Sequence, residues 1–433
     1  MARSKNQDLP PIQLTAAGHN AKAQKANLEQ IIPSPGYPTC VHLICDAIEK
    51  RSDTTVFDFT PQFVNIRYHI DGIWHTMPQM DRETGDYMMA TMKQLAGMNY
   101  RERRAKQEGN FQGLLAKKKY KCRVLSQGVK TGERIAMYIN IPEPSIDTVE
   151  EMGMLPKIKE KMMVPLNKGD GMFLVSAMPN EGYTATWRAS IGACDRLMRD
   201  FYVLEPKGKE EPEIINVTSV PYDTAKGQTV FTPIPGLLLQ EPNVLAFTEP
   251  TSGEIINQMI ELSEKEFQVI TRVHGKHCID ALLRFLAFKP DVKRFAQHLS
   301  GIVCMRLIRK LCEECKIPYT PNPKLLAQIG IPQGRVRQFY RAFEYEPGMV
   351  DENEQEIEPC DNCAGIGYRE RTGIFEVLTI TDPIRDAIIK TPRMDQLSAV
   401  CQSQNHISMR DMGILAVASG VTSLEELQRV LKK

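Results

Sequence analysis

The stretch from residue 171 to residue 288 alternates short apolar runs with segments of helical periodicity, and this alternation restricts the fold more than any other feature. The runs GMFLVSA, DFYVLE, NVLAFTE and FQVITRVH have the length of strands. The segments between them, including TATWRASIGACDRLM and GEIINQMIEL, repeat apolar residues at helical spacing. Strands buried on both faces read as continuous apolar runs. We therefore predict an α/β fold in which helices cover a parallel sheet.

The residues before this region predict a tail and a small domain. Residues 1–36 are rich in Pro, Gln, Asn, Lys and Ala and show little periodicity, so we expect a disordered tail or linker. Residues 37–148 combine amphipathic helical segments with strands that alternate apolar and polar residues. Within NIRYHIDGIW, the pair Asp71-Gly72 indicates a hairpin turn. This region is predicted to be a small α+β domain.

Residues 149–433 are expected to form the core of the molecule. From about residue 371 to residue 433 we expect mostly helices. The final helix lies in VTSLEELQRVLKK, where Thr422 or Ser423 is a candidate N-cap.

Charge and hydropathy exclude several classes of function. The 54 Lys and Arg residues nearly balance the 53 Asp and Glu residues, so the chain has no overall field for nucleic acid. The short basic run LLAKKKYKCR is better explained as a solvated strand or hairpin. No apolar run approaches the roughly 20 residues of a membrane-spanning helix. The first residues, MARSKNQDLPPIQ, also lack the apolar region of a signal peptide.

Two C-x-x-C pairs give the strongest chemical signal. LCEECK contains Cys312 and Cys315, and EPCDNCAG contains Cys360 and Cys363. Four thiolates from two such pairs satisfy a tetrahedral Zn²⁺ and leave no position for substrate. We therefore predict a structural zinc site that closes a subdomain of about residues 305–370.

The remaining charges and cysteines near these pairs have simpler roles. Arg306, Arg309 and Lys310 lie just upstream and are expected to offset the charge of a four-cysteine site. The other seven cysteines lie in apolar periodic segments and are expected to be small core residues. They are Cys40, Cys45, Cys122, Cys194, Cys278, Cys304 and Cys401.

Several stretches together resemble one family. They are RLIRKLCEECK, the second C-x-x-C pair, GYRERTGIFEVLTITDPIR and MRDMGILAVASGVTSLEELQRV. In the small domain, NIRYHIDGIW, ERRAKQEGNFQ and TGERIAMYI add to the match. From about residue 37 to its end, the chain resembles the secretion and pilus assembly ATPases of type II secretion and type IV pilus machines.

The resemblance carries expectations for fold and assembly. It implies a RecA-like P-loop NTPase core with a preceding small α+β domain, a zinc subdomain and a helical C-terminus. It also implies a cytoplasmic, ring-shaped oligomer, expected to be a hexamer. Such a ring would meet an inner-membrane platform protein and would be peripheral to that membrane through its partners. No direct contact with nucleic acid is expected.

The segment SAMPNEGYTATW follows a strand and precedes a helix, which is the layout of a phosphate-binding loop. The family pattern there is G-x-x-x-x-G-K-[ST]. The resemblance places Ala177 at the first glycine and Gly182 at the second. It places Tyr183 at the lysine and Thr184 at the magnesium-binding hydroxyl.

Three residues of this loop weaken its fit to a triphosphate. A phosphate loop points backbone N–H groups inward, and Pro179 has none. Glu181 adds a negative charge, and a like-charge contact at about 4 Å costs on the order of 4 kcal/mol at an intermediate dielectric. Tyr183 supplies one neutral donor in place of an ammonium. We therefore expect that the loop does not hold ATP and Mg²⁺ in the manner of the family.

The resemblance also assigns candidate catalytic residues. Glu205 lies in the acidic box DFYVLEP, Glu249 ends the Walker B strand EPNVLAFTEP, and His274 lies in the histidine box VITRVHGK. If the site is active, these three residues are catalytic. The simpler alternative is that they are hydrogen-bonded groups at strand ends.

In the small domain, arginines match those that family members present toward a neighbouring subunit's nucleotide. They are Arg67, Arg103, Arg104 and Arg123, and His69 stands where a further arginine is common.

Two hypotheses about activity remain open. In the first, the chain is a pseudo-ATPase, a scaffold or regulatory subunit that pairs with an active paralogue in a ring. In the second, it is an active but divergent ATPase in which Lys168 or Lys226 replaces the missing charge. The near-zero net charge disfavours a zinc-bearing nucleic-acid binder.

Overall fold

The structure is a computed structural model. It describes residues 9–141, 146–332, 334–346, 348–351 and 353–432. The chain divides into two compact units. One contains the larger antiparallel sheet and the other contains the parallel sheet, and each is described below by itself.

The strands and helices follow one another in this order along the described residues. The strands are β1 Gln13–Thr15, β2 Ser52–Phe59, β3 Phe63–Ile70, β4 Ile73–Thr76, β5 Met80–Asp81, β6 Gln107–Leu115, β7 Lys118–Val129, β8 Gly132–Asn140, β9 Gly171–Ala177, β10 Phe201–Pro206, β11 Thr218–Tyr222, β12 Val244–Phe247, β13 Gln268–Val273, β14 Leu299–Leu311, β15 Ile317–Tyr319, β16 Phe339–Arg341 and β17 Tyr368–Thr379. The helices are α1 Ala21–Ile31, α2 Tyr37–Glu49, α3 Arg82–Leu95, α4 Pro156–Leu166, α5 Tyr183–Ala193, α6 Ile234–Leu238, α7 Gly253–Glu264, α8 Cys278–Leu286, α9 Val292–His298, α10 Pro323–Ile329, α11 Asp382–Lys390, α12 Met394–Ser403, α13 Met409–Ala418 and α14 Leu424–Lys432.

The first unit is an antiparallel sheet packed against helices. Its strand order is β1-β6-β7-β8-β2-β3-β4, with β5 beside β3. The predicted hairpin is present between β3 and β4. Asp71 and Gly72 both have positive φ, at 49° and 84°, which is the backbone that this type of two-residue turn requires. Asp81 caps α3 by accepting a hydrogen bond from the Thr84 N–H at 2.9 Å.

The segment before residue 37 is folded, in contrast to the predicted tail. Strand β1 pairs antiparallel with the edge strand β6, and Leu14 lies opposite Gly113. Ile12, Leu14 and Ala16 are buried, while Asn20 caps α1. The prediction of a disordered tail or linker is therefore wrong for β1 and α1. Three alternating apolar side chains are enough to hold β1 in place because β6 satisfies the backbone hydrogen bonds of β1. The composition of the segment does not reveal this pairing. The first eight residues lie outside the described part.

The second unit contains the predicted parallel sheet. Its strand order is β11-β10-β12-β13-β9-β14-β17. The pairs from β11 through β14 are parallel, and β17 runs antiparallel to β14. Every residue of β9 is buried, as its continuous apolar sequence predicts. Helices α5, α7 and α8 alternate with these strands along the chain, which confirms the α/β prediction.

The region after residue 370 is helical as predicted, except for its beginning. Strand β17 pairs with most of β14, where Leu378 lies opposite Ile302. Its first half, YRERTG, is too polar to be read as a strand. The predicted N-cap of the last helix is confirmed, since the Ser423 hydroxyl accepts from the Glu426 N–H at 3.1 Å. Thr422 instead donates to the Arg309 carbonyl at 2.8 Å. Within the described ranges, no helix has the length and apolarity to cross a bilayer.

Candidate functional site

The sheet of the second unit brings most of the predicted nucleotide residues together. Strands β9, β13 and β12 are adjacent and parallel, so their carboxyl ends meet at one edge. Tyr183 begins the helix that follows β9, His274 follows β13, and Glu249 follows β12. Ligands of open α/β sheets bind at this edge.

The loop between β9 and α5 is tightly wound. Asn180 and Gly182 have φ of 61° and 78°, and the Glu181 N–H donates to the Met178 carbonyl at 3.1 Å. The φ of Gly182 favours glycine, and a Cβ atom there would lie 2.6 Å from the Met305 Cε atom, so the methionine side chain would have to shift. The Glu181 N–H is used inside the loop and Pro179 has none. Neither Pro179 nor Glu181 therefore offers a backbone N–H to a phosphate.

Tyr183 packs into the site through its ring. Its ring centroid lies 4.2 Å from that of His274, and the Arg272 guanidinium carbon lies 4.9 Å from the same ring. Burial, followed by the nearby Glu249 carboxylate, raises the pKa of the Tyr183 phenol. At the position that the resemblance assigns to the P-loop lysine, the chain therefore has a packed aromatic ring.

Arg272, whose guanidinium lies beside this ring, forms an ion pair with Glu211. Its Nη1 donates to Glu211 Oε1 at 2.7 Å, and both side chains are mostly buried, with 12% and 17% exposed. Its guanidinium also lies 5.5 Å from the Trp187 ring centroid. Sequence reasoning missed both Arg272 and Glu211. The available signal was an arginine inside the apolar strand β13.

His274 and Glu249 form a direct pair. The His274 Nε2 atom lies 3.0 Å from Glu249 Oε1, and its Nδ1 atom lies 3.2 Å from the carbonyl oxygen of Ala177. Both of these neighbours are hydrogen-bond acceptors. The structure thus brings two predicted catalytic residues together, and it holds the histidine between a carboxylate and the end of β9.

Glu205 does not join this pair. It is buried in β10 and accepts hydrogen bonds from the Ser219 hydroxyl at 2.8 Å and from the Glu211 N–H at 3.2 Å. Both donors follow Glu205 in the sequence: Ser219 lies in the neighbouring strand β11, and Glu211 lies between β10 and β11. This arrangement fits the alternative of a hydrogen-bonded strand carboxylate.

Glu181 is paired with a buried arginine, in contrast to the expectation that its charge faces a triphosphate. Its carboxylate is bonded to Arg306, and one of the contacts is Nη2 to Oε1 at 3.2 Å. The Arg306 side chain is only 3% exposed and also donates to the Val430 carbonyl at 2.9 Å. The charge of Glu181 is therefore matched inside the protein, and it fixes the loop instead of facing a triphosphate. Thr184 is exposed at the start of α5.

The predicted arginines of the first unit are largely paired within that unit. The bonds are Arg67 to Asp58 at 2.8 Å, Arg103 to Asp86 at 3.1 Å and Arg123 to Glu108 at 2.7 Å. The backbone N–H of Arg104 donates to Glu102 at 2.6 Å, and His69 Nδ1 lies 2.8 Å from Asp53. A role of these arginines toward a nucleotide remains a prediction.

The four predicted metal ligands converge. The sulfur atoms of Cys312, Cys315, Cys360 and Cys363 all lie within 4.8 Å of one another. Zn–S bonds of about 2.3 Å in a tetrahedron place the sulfurs about 3.8 Å apart. The four sulfurs would therefore have to move together by at most about 1 Å to bind one metal ion. The cluster could therefore hold a metal ion.

The basic residues upstream of the first cysteine pair were predicted to offset the negative charge of this cluster, but they pair with carboxylates instead. Arg309 donates to Glu426 at 2.9 Å and lies 3.8 Å from the Tyr368 ring centroid. Lys310 donates to Glu370 at 2.8 Å. Arg306 bonds to Glu181, as described above. Each of these three residues of β14 is therefore paired with a carboxylate from another element.

Comparison with known proteins identifies relatives in sequence. The family model described as type II/IV secretion system protein matches residues 34–429. The type II secretion system protein E of Dickeya dadantii is 24% identical over 391 residues, which are 90% of this chain and 74% of that protein. The type IV pilus assembly ATPase PilB of Pseudomonas aeruginosa is also 24% identical over 391 residues, covering 90% of this chain and 66% of PilB.

A solved structure shows the same fold. The ATPase DotB of Yersinia pseudotuberculosis has a TM-score of 0.53 and 11% identity, over 90% of this chain and 92% of that chain. At this identity the likeness concerns the fold alone, and it confirms the predicted RecA-like core. Because the family match spans most of the sequence, the chain belongs to the type II/IV secretion system protein family.

Proposed function

We propose that this chain is a pseudo-ATPase subunit, a scaffold or regulator in a type II secretion or type IV pilus-like assembly machine. The observation that carries the proposal is the packing of Tyr183, which stands at the lysine position with its ring against His274 and Arg272. Phosphoryl transfer is catalysed mainly by positioning and by stabilising charge. A loop that lacks the lysine and part of its N–H cradle has lost the main contributions to both.

Arg272 is a poor substitute for the missing lysine. Its guanidinium is bonded to Glu211 and lies beside the rings of Tyr183 and Trp187. Turning it toward a phosphate would leave the mostly buried Glu211 carboxylate without this partner, which is costly. The arginine therefore supports packing at this edge of the sheet.

The two lysines considered from the sequence are also badly placed. Lys168 precedes β9 and so lies at the amino end of a seven-residue strand, about 23 Å from the loop at its carboxyl end. That distance far exceeds the reach of a lysine side chain. Lys226 follows β11, which β10, β12 and β13 separate from β9, and its Nζ lies 4.0 Å from Asp223 Oδ2. The alternative of an active divergent ATPase gains no donor from either residue.

The cysteine cluster and the family membership suggest a metal ion and partners for the chain. The cysteine cluster would hold one structural Zn²⁺, whose four thiolates leave no position for substrate. The family membership and the names of the relatives support a place in a secretion or pilus-assembly ring. We place the chain in the cytoplasm, in a ring with an active paralogue and against an inner-membrane platform protein.

Direct binding of Mg-ATP tests the proposal. We expect zinc-loaded full-length protein to give no saturable heat with Mg-ATP or Mg-ADP up to millimolar concentration in calorimetry. A Tyr183→Lys variant, checked for folding by circular dichroism, controls for the single most important substitution. Micromolar binding to the wild type, weakened by Thr184→Val, would overturn the proposal.

Hydrolysis provides a second, independent readout. Phosphate release by the purified chain should equal that of a Glu249→Gln variant, because neither has a functional site. A turnover present in the wild type and absent in Glu249→Gln would instead support the active-ATPase alternative.

A further inference from the structure

A cavity lies in the first unit. Its volume is about 760 Å³, within the range of roughly 300–1,000 Å³ that is typical of small-molecule sites. One wall is the segment 15–18, which follows the pairing of β1 with β6, and the floor is formed by β6, β7 and β8. The cavity thus depends on the part of the chain that composition alone had suggested to be a tail.

The floor presents a regular array of side chains. Residues directly opposite each other on neighbouring strands share a face, and so do residues two apart on one strand. The strand registers therefore give two parallel rows of three on one face, namely Asn110, Arg123 and Tyr138, and Gln112, Lys121 and Asn140.

The charge of this cavity favours an anion. Lys121 and Arg123 line it, and no Asp or Glu is among its lining residues in the described structure. Lys121 has no ion-pair partner within the described ranges. Arg123 bonds to Glu108 through its Nε atom, which leaves its two terminal nitrogens for a ligand. With the Glu108 carboxylate counted against the two cations, one net positive charge remains at the floor, and it favours an anion.

The same floor offers a surface for an aromatic ring. Tyr138 is 39% exposed, and the Arg123 guanidinium carbon lies 5.8 Å from its ring centroid. An aromatic side chain beside a guanidinium is suited to a planar π system. Asn110, Gln112 and Asn140 surround this pair with amides, which both donate and accept hydrogen bonds.

We propose that this cavity binds a small planar organic anion, an aromatic or heteroaromatic ring that carries a phosphate or carboxylate. The ring lies against Tyr138, the anionic group bonds to Lys121 and Arg123, and the amides bond to polar atoms on the edge of the ring. The proposal does not rest on the function proposed above: it uses no residue of the loop after β9, and of the residues that the resemblance assigns to a nucleotide it uses Arg123 alone.

Calorimetry on the full, zinc-loaded chain tests the cavity with four probes. Adenosine 5′-monophosphate and salicylate each combine a ring with an anion, whereas adenosine and inorganic phosphate each lack one of the two. We expect saturable binding of at least one ring-bearing anion, on the order of tenfold tighter than both single-feature probes. Which of the two binds distinguishes a phosphate from a carboxylate ligand.

Variants locate the binding. Lys121→Gln and Tyr138→Ala should each weaken it by roughly tenfold or more, whereas Lys119→Gln, on the same strand but outside the cavity, should leave it unchanged. Circular dichroism and thermal melting check that each variant is folded. The proposal is overturned if no ring-bearing anion binds, if phosphate binds equally well, or if Lys121→Gln and Tyr138→Ala both bind normally. Loss of binding in Tyr183→Ala would place the ligand at the other site and would also overturn the proposal. The proposed function is decided separately, by the Mg-ATP titration and the hydrolysis assay.

Discussion

The ring of Tyr183 and the imidazole of His274 lie 4.2 Å apart between centroids, with their planes inclined by 37°. This contact joins the first residue of α5 to the residue that follows β13. In a P-loop the corresponding lysine reaches outward to the phosphates. Here the Tyr183 side chain instead packs against His274 and Arg272, and the proposed loss of ATP binding is based on this packing.

This change predicts that Tyr183 contributes to stability through its ring. Tyr183→Ala should lower the free energy of unfolding by about 2–4 kcal/mol, because it removes a largely buried aromatic and its contacts with His274 and Arg272. Tyr183→Phe keeps the ring and should cost less than about 1 kcal/mol. Urea denaturation followed by circular dichroism measures both. An alanine variant as stable as the phenylalanine variant would show that the ring contacts are unimportant.

The pair of Glu181 and Arg306 predicts a further effect of the loop on stability. Glu181→Ala should destabilise the protein by about 3 kcal/mol, because it leaves the buried guanidinium with the Val430 carbonyl as its remaining hydrogen-bond partner among those described here. The double variant Glu181→Leu with Arg306→Met removes both charges and should recover most of the loss. Thermal melting of the set is the measurement.

The matched control for this pair is Glu160→Ala, which removes an exposed carboxylate from α4. It should change stability by less than about 0.5 kcal/mol. If Glu181→Ala behaves like Glu160→Ala, or if the double variant is less stable than either single change, the pair is not the fixed structural element described here.

The fold was largely predictable because its signals are local. The continuous apolar run GMFLVSA coincides with β9, and the Asp71-Gly72 pair forms the predicted turn. By contrast, β1 and the first half of β17 carry polar residues and become strands only through their partners β6 and β14. Their pairing is a tertiary effect, which overrides a weak local preference.

The site was predictable in its positions but not in its contacts. Tyr183, Glu249 and His274 follow three neighbouring strands, so their proximity follows from the parallel sheet. The partners Glu211 and Arg306 could not be foreseen, because they lie 61 residues from Arg272 and 125 residues from Glu181. No periodicity in one sequence reports such long-range charge pairing.

The cysteine cluster predicts metal-dependent stability. Purified protein should contain about one zinc per chain by elemental analysis, and Cys360→Ser should lose most of it and melt at a lower temperature, because binding of a structural metal contributes to folding. Cys194→Ser is the matched control, since Cys194 lies outside the cluster and its thiol bonds to the Ser190 carbonyl. Stoichiometric zinc in Cys360→Ser would contradict the four-cysteine assignment.

Glu426 predicts how stability depends on pH. Burial alone raises the pKa of its carboxyl, but hydrogen bonds from Arg429 and Arg309 together lower it to about 2 from an ordinary 4.5. A carboxyl with a lowered pKa stabilises the folded state fully above its unfolded pKa, and this contribution is lost as the pH falls from about 4.5 toward 2. Glu426→Gln should therefore lower the free energy of unfolding by roughly 2–3 kcal/mol at pH 7, and this difference from wild type should shrink by about 1 kcal/mol at pH 4.

Urea denaturation at both pH values measures this difference. The control is Glu425→Gln, which changes an exposed neighbour and should show neither effect. A difference that stays constant between pH 7 and pH 4 would mean that Glu426 is not ionised with a lowered pKa in the folded protein.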